Sequence, residues 1–60
     1  MWEHIDKLLA GQISTREFYE FLQEQDEDDP LVSQIDLLYS EHTGGYLHLT
    51  ELLQEIALLK

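Results

Sequence analysis

Two glycine turns set the frame of this chain. A shift of 34 residues lays Gly11, Ile13, Glu17 and Phe18 over Gly45, Leu47, Glu51 and Leu52, so the order glycine, aliphatic, acid, apolar occurs twice. Repetition of this kind marks a supersecondary unit used more than once. Both copies read as helix, glycine turn, helix.

The apolar spacing fills in the units. Trp2, Ile5, Leu8 and Leu9 form a helical stripe that Gly11 ends as a left-handed cap. Ser14 followed by Glu17 fits a capping box, and Phe18, Phe21 and Leu22 make the stripe of a second helix from about Thr15 to Gln25, backed by Arg16, Glu20 and Glu24. Asp26-Glu27-Asp28-Asp29-Pro30 is a turn and a start signal at once, with Asp29 as cap and Pro30 at the first helical position. The third helix then has a core stripe of Leu31, Ile35, Leu38 and His42, with Val32 and Tyr39 beside it and Asp36, Leu37 and Ser40 pointing away, and Gly44-Gly45 stops it. His48 or Thr50 opens a last helix with Leu49, Leu52, Leu53 and Ile56 inward. Alternation over Gly45–Leu49 is too brief for a sheet, and this stretch reads as loop.

The expected fold is therefore all-α: a small antiparallel bundle of four short helices, built as two helical hairpins in a single domain over residues 1–60. Helices this short are marginal alone, and in a chain of this size the gain from burial and the cost of ordering nearly cancel. With no cysteine there is neither a disulfide nor a thiolate for structural zinc, so helix packing or a partner must supply the margin. The N-terminal residues lack a signal-peptide pattern, and the longest apolar run, Ile56–Leu59, is far short of the roughly 18 residues a spanning helix needs. A soluble, cytoplasmic protein is expected.

Charge narrows the function. Thirteen carboxylates face three Lys or Arg residues, a formal net charge of −10, which repels nucleic acid and anionic membranes alike. Up to Arg16 the chain is balanced, Glu3 and Asp6 against Lys7 and Arg16. From Glu17 to Leu59 it carries eleven acids and no Lys or Arg, seven of the acids falling between Glu17 and Asp29, so these are expected to lack a side-chain cation. Like charges within a Debye length of about 8 Å destabilise a fold with little margin. A solvated, solubilising surface would explain acidity in general. A basic partner explains its concentration, since a cleft that handles DNA or RNA gains fast, steered association from such a field.

Chemistry-bearing motifs are sparse. The repeated glycine, aliphatic and Glu spacing matches the rear half of an EF-hand loop, but the front ligand positions would be Asp6, Leu8 and Ala10 in one copy and Ser40, His42 and Gly44 in the other, too few oxygens for calcium. His4, His42 and His48 are the only imidazoles, and the step from His42 to His48 crosses a turn, so no metal site is expected and His42 is assigned to the core edge and the C-terminal end of its helix. Ser14, Ser33 and Ser40 read as cap or surface residues, and no nucleophile pairs with a base. The expectation is a non-enzyme without cofactor. Leu37 and Leu58 project from polar faces, which leaves a homodimer open.

The segment Ile5-Asp6-Lys7-Leu8-Leu9-Ala10-Gly11-Gln12-Ile13-Ser14-Thr15-Arg16-Glu17-Phe18 resembles the opening of the colicin-D-type bacterial immunity proteins: an apolar helix, a small-residue turn, an Ile-Ser/Thr step, then Glu-Phe. Leu47–Ile56 is similar to that family's last helix. The resemblance implies a helical bundle that neutralises a nuclease toxin by offering carboxylates to a basic tRNA-binding cleft. Gly11, Ile13, Glu17, Phe18 and Leu52 carry over as framework positions. The family's toxin-contacting acids lie in the middle region, which is shorter here.

Together these readings give an acidic inhibitor, immunity-type or phage counter-defence, of a basic nucleic-acid-handling enzyme. Its expected partner-binding residues are Glu20, Glu24, Asp26, Glu27, Asp28, Asp29, Asp36 and Glu41, with Tyr19 and Tyr39 as anchors. The alternative is a helical adaptor or homodimeric regulatory subunit with a degenerate EF-hand-like hairpin pair.

Overall fold

Four helices surround one apolar core in the computed structural model, which describes residues 1–59: α1 (Trp2–Leu9), α2 (Thr15–Gln23), α3 (Pro30–Thr43) and α4 (Leu49–Leu58). Each is packed on its two neighbours in the order α1, α2, α3, α4 and back to α1, with α3 and α4 the most extensive pair. The radius of gyration is 10.5 Å, close to the roughly 10.4 Å that scaling gives for a folded chain of this length. Among the described residues there is no strand.

The repeat seen in the sequence is a repeat of hydrogen bonds. At the end of α1, Gly11 has φ +76°, its N–H donates to the Leu8 carbonyl, and the Gln12 N–H donates to Lys7. At the end of α3, Gly45 has φ +86°, with the same two bonds from Gly45 to His42 and from Tyr46 to Glu41. These are paired Schellman caps, which require the left-handed backbone that glycine adopts without strain. Each cap leads into a helix start whose third residue reaches back: Glu17 accepts from the Ser14 N–H at 3.3 Å, and Glu51 from the His48 N–H at 3.2 Å. The Ser14 hydroxyl also accepts from the Glu17 N–H at 3.1 Å, completing its box. The glutamate of each repeat thus satisfies an N–H at a helix start, which accounts for the glycine-to-Glu spacing by capping.

Ile5, Leu8, Phe18, Leu22, Val32, Ile35, Tyr39, Leu52 and Ile56 form the buried core, drawn from all four helices. Three expected stripes shift. On α3 the buried line is Val32, Ile35 and Tyr39, while Leu31, Leu38 and His42 are only half-buried, because α3 lies between α2 and α4 and the centre of its inward arc falls nearer Tyr39 than Leu38. Trp2, the first residue of α1, and Leu49, the first of α4, stay exposed, because helix side chains tilt toward the N-terminus and a first residue has no preceding turn there to hold it on the core. Helix α2 ends at Gln23, two residues before the expected Gln25, whose side-chain amide instead donates to the Phe21 carbonyl at 3.2 Å and occupies an acceptor at the helix end.

Five rings cross the molecule from α1 to α3. His4 stacks on Phe21 with centroids 3.6 Å apart and planes at 6°. Phe21 meets Phe18 at 6.1 Å, Phe18 meets Tyr39 at 6.0 Å, and Tyr39 meets Tyr19 at 5.4 Å. Its last member, Tyr19, is exposed beside the acidic half of the chain.

Candidate functional site: the acidic turn and the groove between the second and third helices

The acidic turn is built by its own side chains. Asp26 Oδ1 accepts from the Asp28 N–H at 3.0 Å, an Asx turn, and Asp29 Oδ1 accepts from the Leu31 N–H at 2.9 Å, the N-cap of α3. Pro30 follows at the first helical position, where its missing N–H leaves no bond unmade. Asp26, Glu27, Asp28 and Asp29 are all exposed, and two of the four hold the turn in shape with one oxygen each.

Glu17 and Glu20 on α2 and Glu24 at its C-cap are exposed as well, so the whole concentration of seven acids lies at the surface. One sequence expectation is corrected here. Glu20 does have a cation, Arg16 one turn before it at 3.7 Å, a spacing that brings side chains together on a helix face. The pair is exposed, and such pairs contribute only about 0.3–0.5 kcal/mol. The other ion pair among the described residues, Lys7 with Glu3 at 4.0 Å, lies on α1.

Between α2 and α3 runs a groove of two cavities that share Asp36. One, about 310 Å³, is lined by Leu22, Gln23, Gln25, Glu27, Val32, Ser33 and Asp36. The other, about 350 Å³, is lined by Tyr19, Asp36, Tyr39, Ser40, Thr43 and Gly44. Among the described residues neither wall contains a Lys or Arg, and Asp36 has no hydrogen-bond or ion-pair partner.

The expected partner-binding residues divide accordingly. Asp26 to Asp29 cluster on the turn, Glu27 reaches the groove, and Asp36 and Tyr19 line it. Glu20 on α2 and Glu24 at its C-cap lie outside the groove lining. Glu41 is half-buried and lies five residues beyond Asp36, about 140° around α3, so it belongs to a different side. Tyr39 is corrected from surface anchor to core residue. It is 6% exposed, its hydroxyl donates to the Thr15 carbonyl at 3.1 Å, and burial pushes its pKa up to about 12.

Ser33, Ser40 and Thr43 were not anticipated as lining residues. With Asp36 they follow the steps three, four and three, a polar stripe at helical spacing beside the apolar one. That periodicity was available in the sequence, but small neutral side chains give no charge signal to draw attention to it.

The remaining candidates have structural places. His42 Nδ1 lies 2.8 Å from the Leu47 carbonyl, so that nitrogen carries the proton and ties the end of α3 to the loop before α4, rather than meeting the helix's own last carbonyls. Leu37 and Leu58 project as expected, at 61% and 77% exposure. Among the described residues no three His, Asp or Glu side chains gather as a metal-ligand set, and no helix is long and apolar enough to cross a membrane. No family model, curated protein or solved structure matches the chain.

Proposed function

We propose that this protein is an acidic inhibitor that docks on a basic, nucleic-acid-handling enzyme and occupies the surface where nucleic acid would bind. The observation that carries this reading is the turn between α2 and α3, where four consecutive exposed carboxylates are presented on a backbone that two of them fix. A preformed array loses little entropy on docking, and its field steers a cationic cleft toward it. The resemblance at both ends of the chain to colicin-D-type immunity proteins supports a nuclease as the target, in either an immunity or a phage counter-defence setting.

The test is a column of immobilised protein loaded with lysate and eluted by a salt step, with the eluate assayed for nuclease activity in the presence and absence of the free chain. The expected result is inhibition whose affinity falls steeply as salt rises, and slower association for Asp28→Lys with Asp29→Lys. Inhibition that ignores both salt and charge reversal contradicts the proposal.

A further inference from the structure

The groove between α2 and α3 differs chemically from the acidic turn beside it. The turn offers charge alone. The groove places one carboxylate, Asp36, in the wall of the same cavity as Tyr19, whose ring packs against that of Tyr39 at 5.4 Å and a tilt of 39°. Tyr39 is itself held by its bond to the Thr15 carbonyl. A carboxylate without a partner and a supported aromatic face are the two features that recognise a guanidinium: the planar fork pairs with the carboxylate while its face lies on the ring. A lysine ammonium uses the charge but has no plane to stack and no fork to match.

We infer that this groove is a receptor for an arginine side chain of the basic partner, with Asp36 as the ion-pairing residue and Tyr19 as the stacking residue. Ser40 and Thr43 supply hydroxyl acceptors along the same wall for the remaining guanidinium hydrogens. The depression, about 350 Å³ and open to solvent on one side, has room for one arginine end laid along its wall. Complementarity of charge selects the occupant, because among the described residues no cation lines either cavity and Asp36 has no hydrogen-bond or ion-pair partner. The inference rests on the proposed inhibitor reading and makes it specific: the acidic turn attracts any polycation, and the groove distinguishes arginine from lysine.

Three peptides of one length test this on the whole chain: an Arg-Gly repeat, the same repeat with lysine, and the same repeat with citrulline, which keeps the shape of arginine without its charge. Binding is followed by amide chemical shifts. The expected result is about threefold or more tighter binding of the arginine peptide than of the lysine peptide, with the largest shifts at Tyr19, Asp36 and Ser40. Asp36→Asn and Tyr19→Leu should each remove that preference, while Asp28→Asn weakens both charged peptides equally. All three variants alter exposed side chains, and far-UV circular dichroism checks that they remain helical. Equal binding of arginine and lysine peptides, or a preference that survives Asp36→Asn, overturns the arginine site and leaves the inhibitor reading standing. Charged peptides that bind no better than citrulline overturn both.

Discussion

The Tyr39 hydroxyl donates to the main-chain carbonyl of Thr15, at 3.1 Å and across 24 residues of sequence, and so joins the third helix to the first turn of the second. Tyr39→Phe keeps the ring between Phe18 and Tyr19 and removes only this bond. The expected loss is about 0.5–1.5 kcal/mol, read from urea unfolding midpoints at neutral pH.

The same residue gives alkaline pH a predictable effect. Burial raises the folded-state pKa of Tyr39 to about 12, against an ordinary value of 10.0 in the unfolded chain. Below pH 10 both states keep the proton and the contribution is complete. Above it the unfolded state gives up the proton first, so stability falls as pH rises from 10 towards 12. Unfolding midpoints across this range should drop more steeply in the native chain than in Tyr39→Phe.

His4 and Phe21 lie face to face at 3.6 Å and are the only aromatic contact found between α1 and α2 among the described residues. Their coupling should appear in a double-mutant cycle of His4→Ala and Phe21→Leu as a double-mutant loss about 0.5–1.5 kcal/mol smaller than the sum of the single losses. A cycle that closes to zero would mean the rings merely share space.

The fold was readable because its signals are local. Gly11 and Gly45 ended helices where a positive φ was needed, Ser14 and Asp29 began them with side-chain bonds, and the apolar steps through Ile5, Phe18, Ile35 and Leu52 pointed inward. What escaped was set by neighbours. Whether Leu38 or Tyr39 is at the centre of the α3 face depends on where α2 and α4 lie around it, which periodicity alone does not give. The acidic turn was plain from composition, but the groove was not, because Tyr19 and Asp36 become neighbours only when α2 packs on α3.

The two glycine turns should respond alike to alanine. Gly11 and Gly45 have open space where a Cβ would sit, so the cost of Gly11→Ala or Gly45→Ala is backbone strain at positive φ, about 1–2 kcal/mol each. Gly44→Ala is a control of another kind: its φ is −75°, and a Cβ there would lie 3.3 Å from the Ser40 carbonyl and the Tyr46 ring. Tyr46 is 83% exposed and free to yield, and the Ser40 carbonyl on the α3 main chain need give by only a few tenths of an ångström, so without positive-φ strain this substitution should change the melting temperature least of the three.

The acidic turn itself separates by function, and Asp28 and Asp29 make the comparison sharpest. Asp29 caps α3 through its bond to the Leu31 N–H, whereas Asp28 takes part in the turn through its main chain and contributes its carboxylate only as charge. Asp29→Ala removes a like charge from a crowded segment but also leaves a helix start uncapped, and the cap, about 1 kcal/mol, outweighs the screened repulsion it relieves. Asp28→Lys removes no hydrogen bond and relieves repulsion from Asp26, Glu27 and Asp29, so the folded chain should become more stable. Added salt should shrink the gain from Asp28→Lys by screening that repulsion, while the loss from Asp29→Ala persists. Urea midpoints for both variants at low and high salt would show this crossing. If Asp28→Lys instead destabilised the fold, the carboxylate at that position would be structural, and fewer acids of the turn would be available to a basic partner.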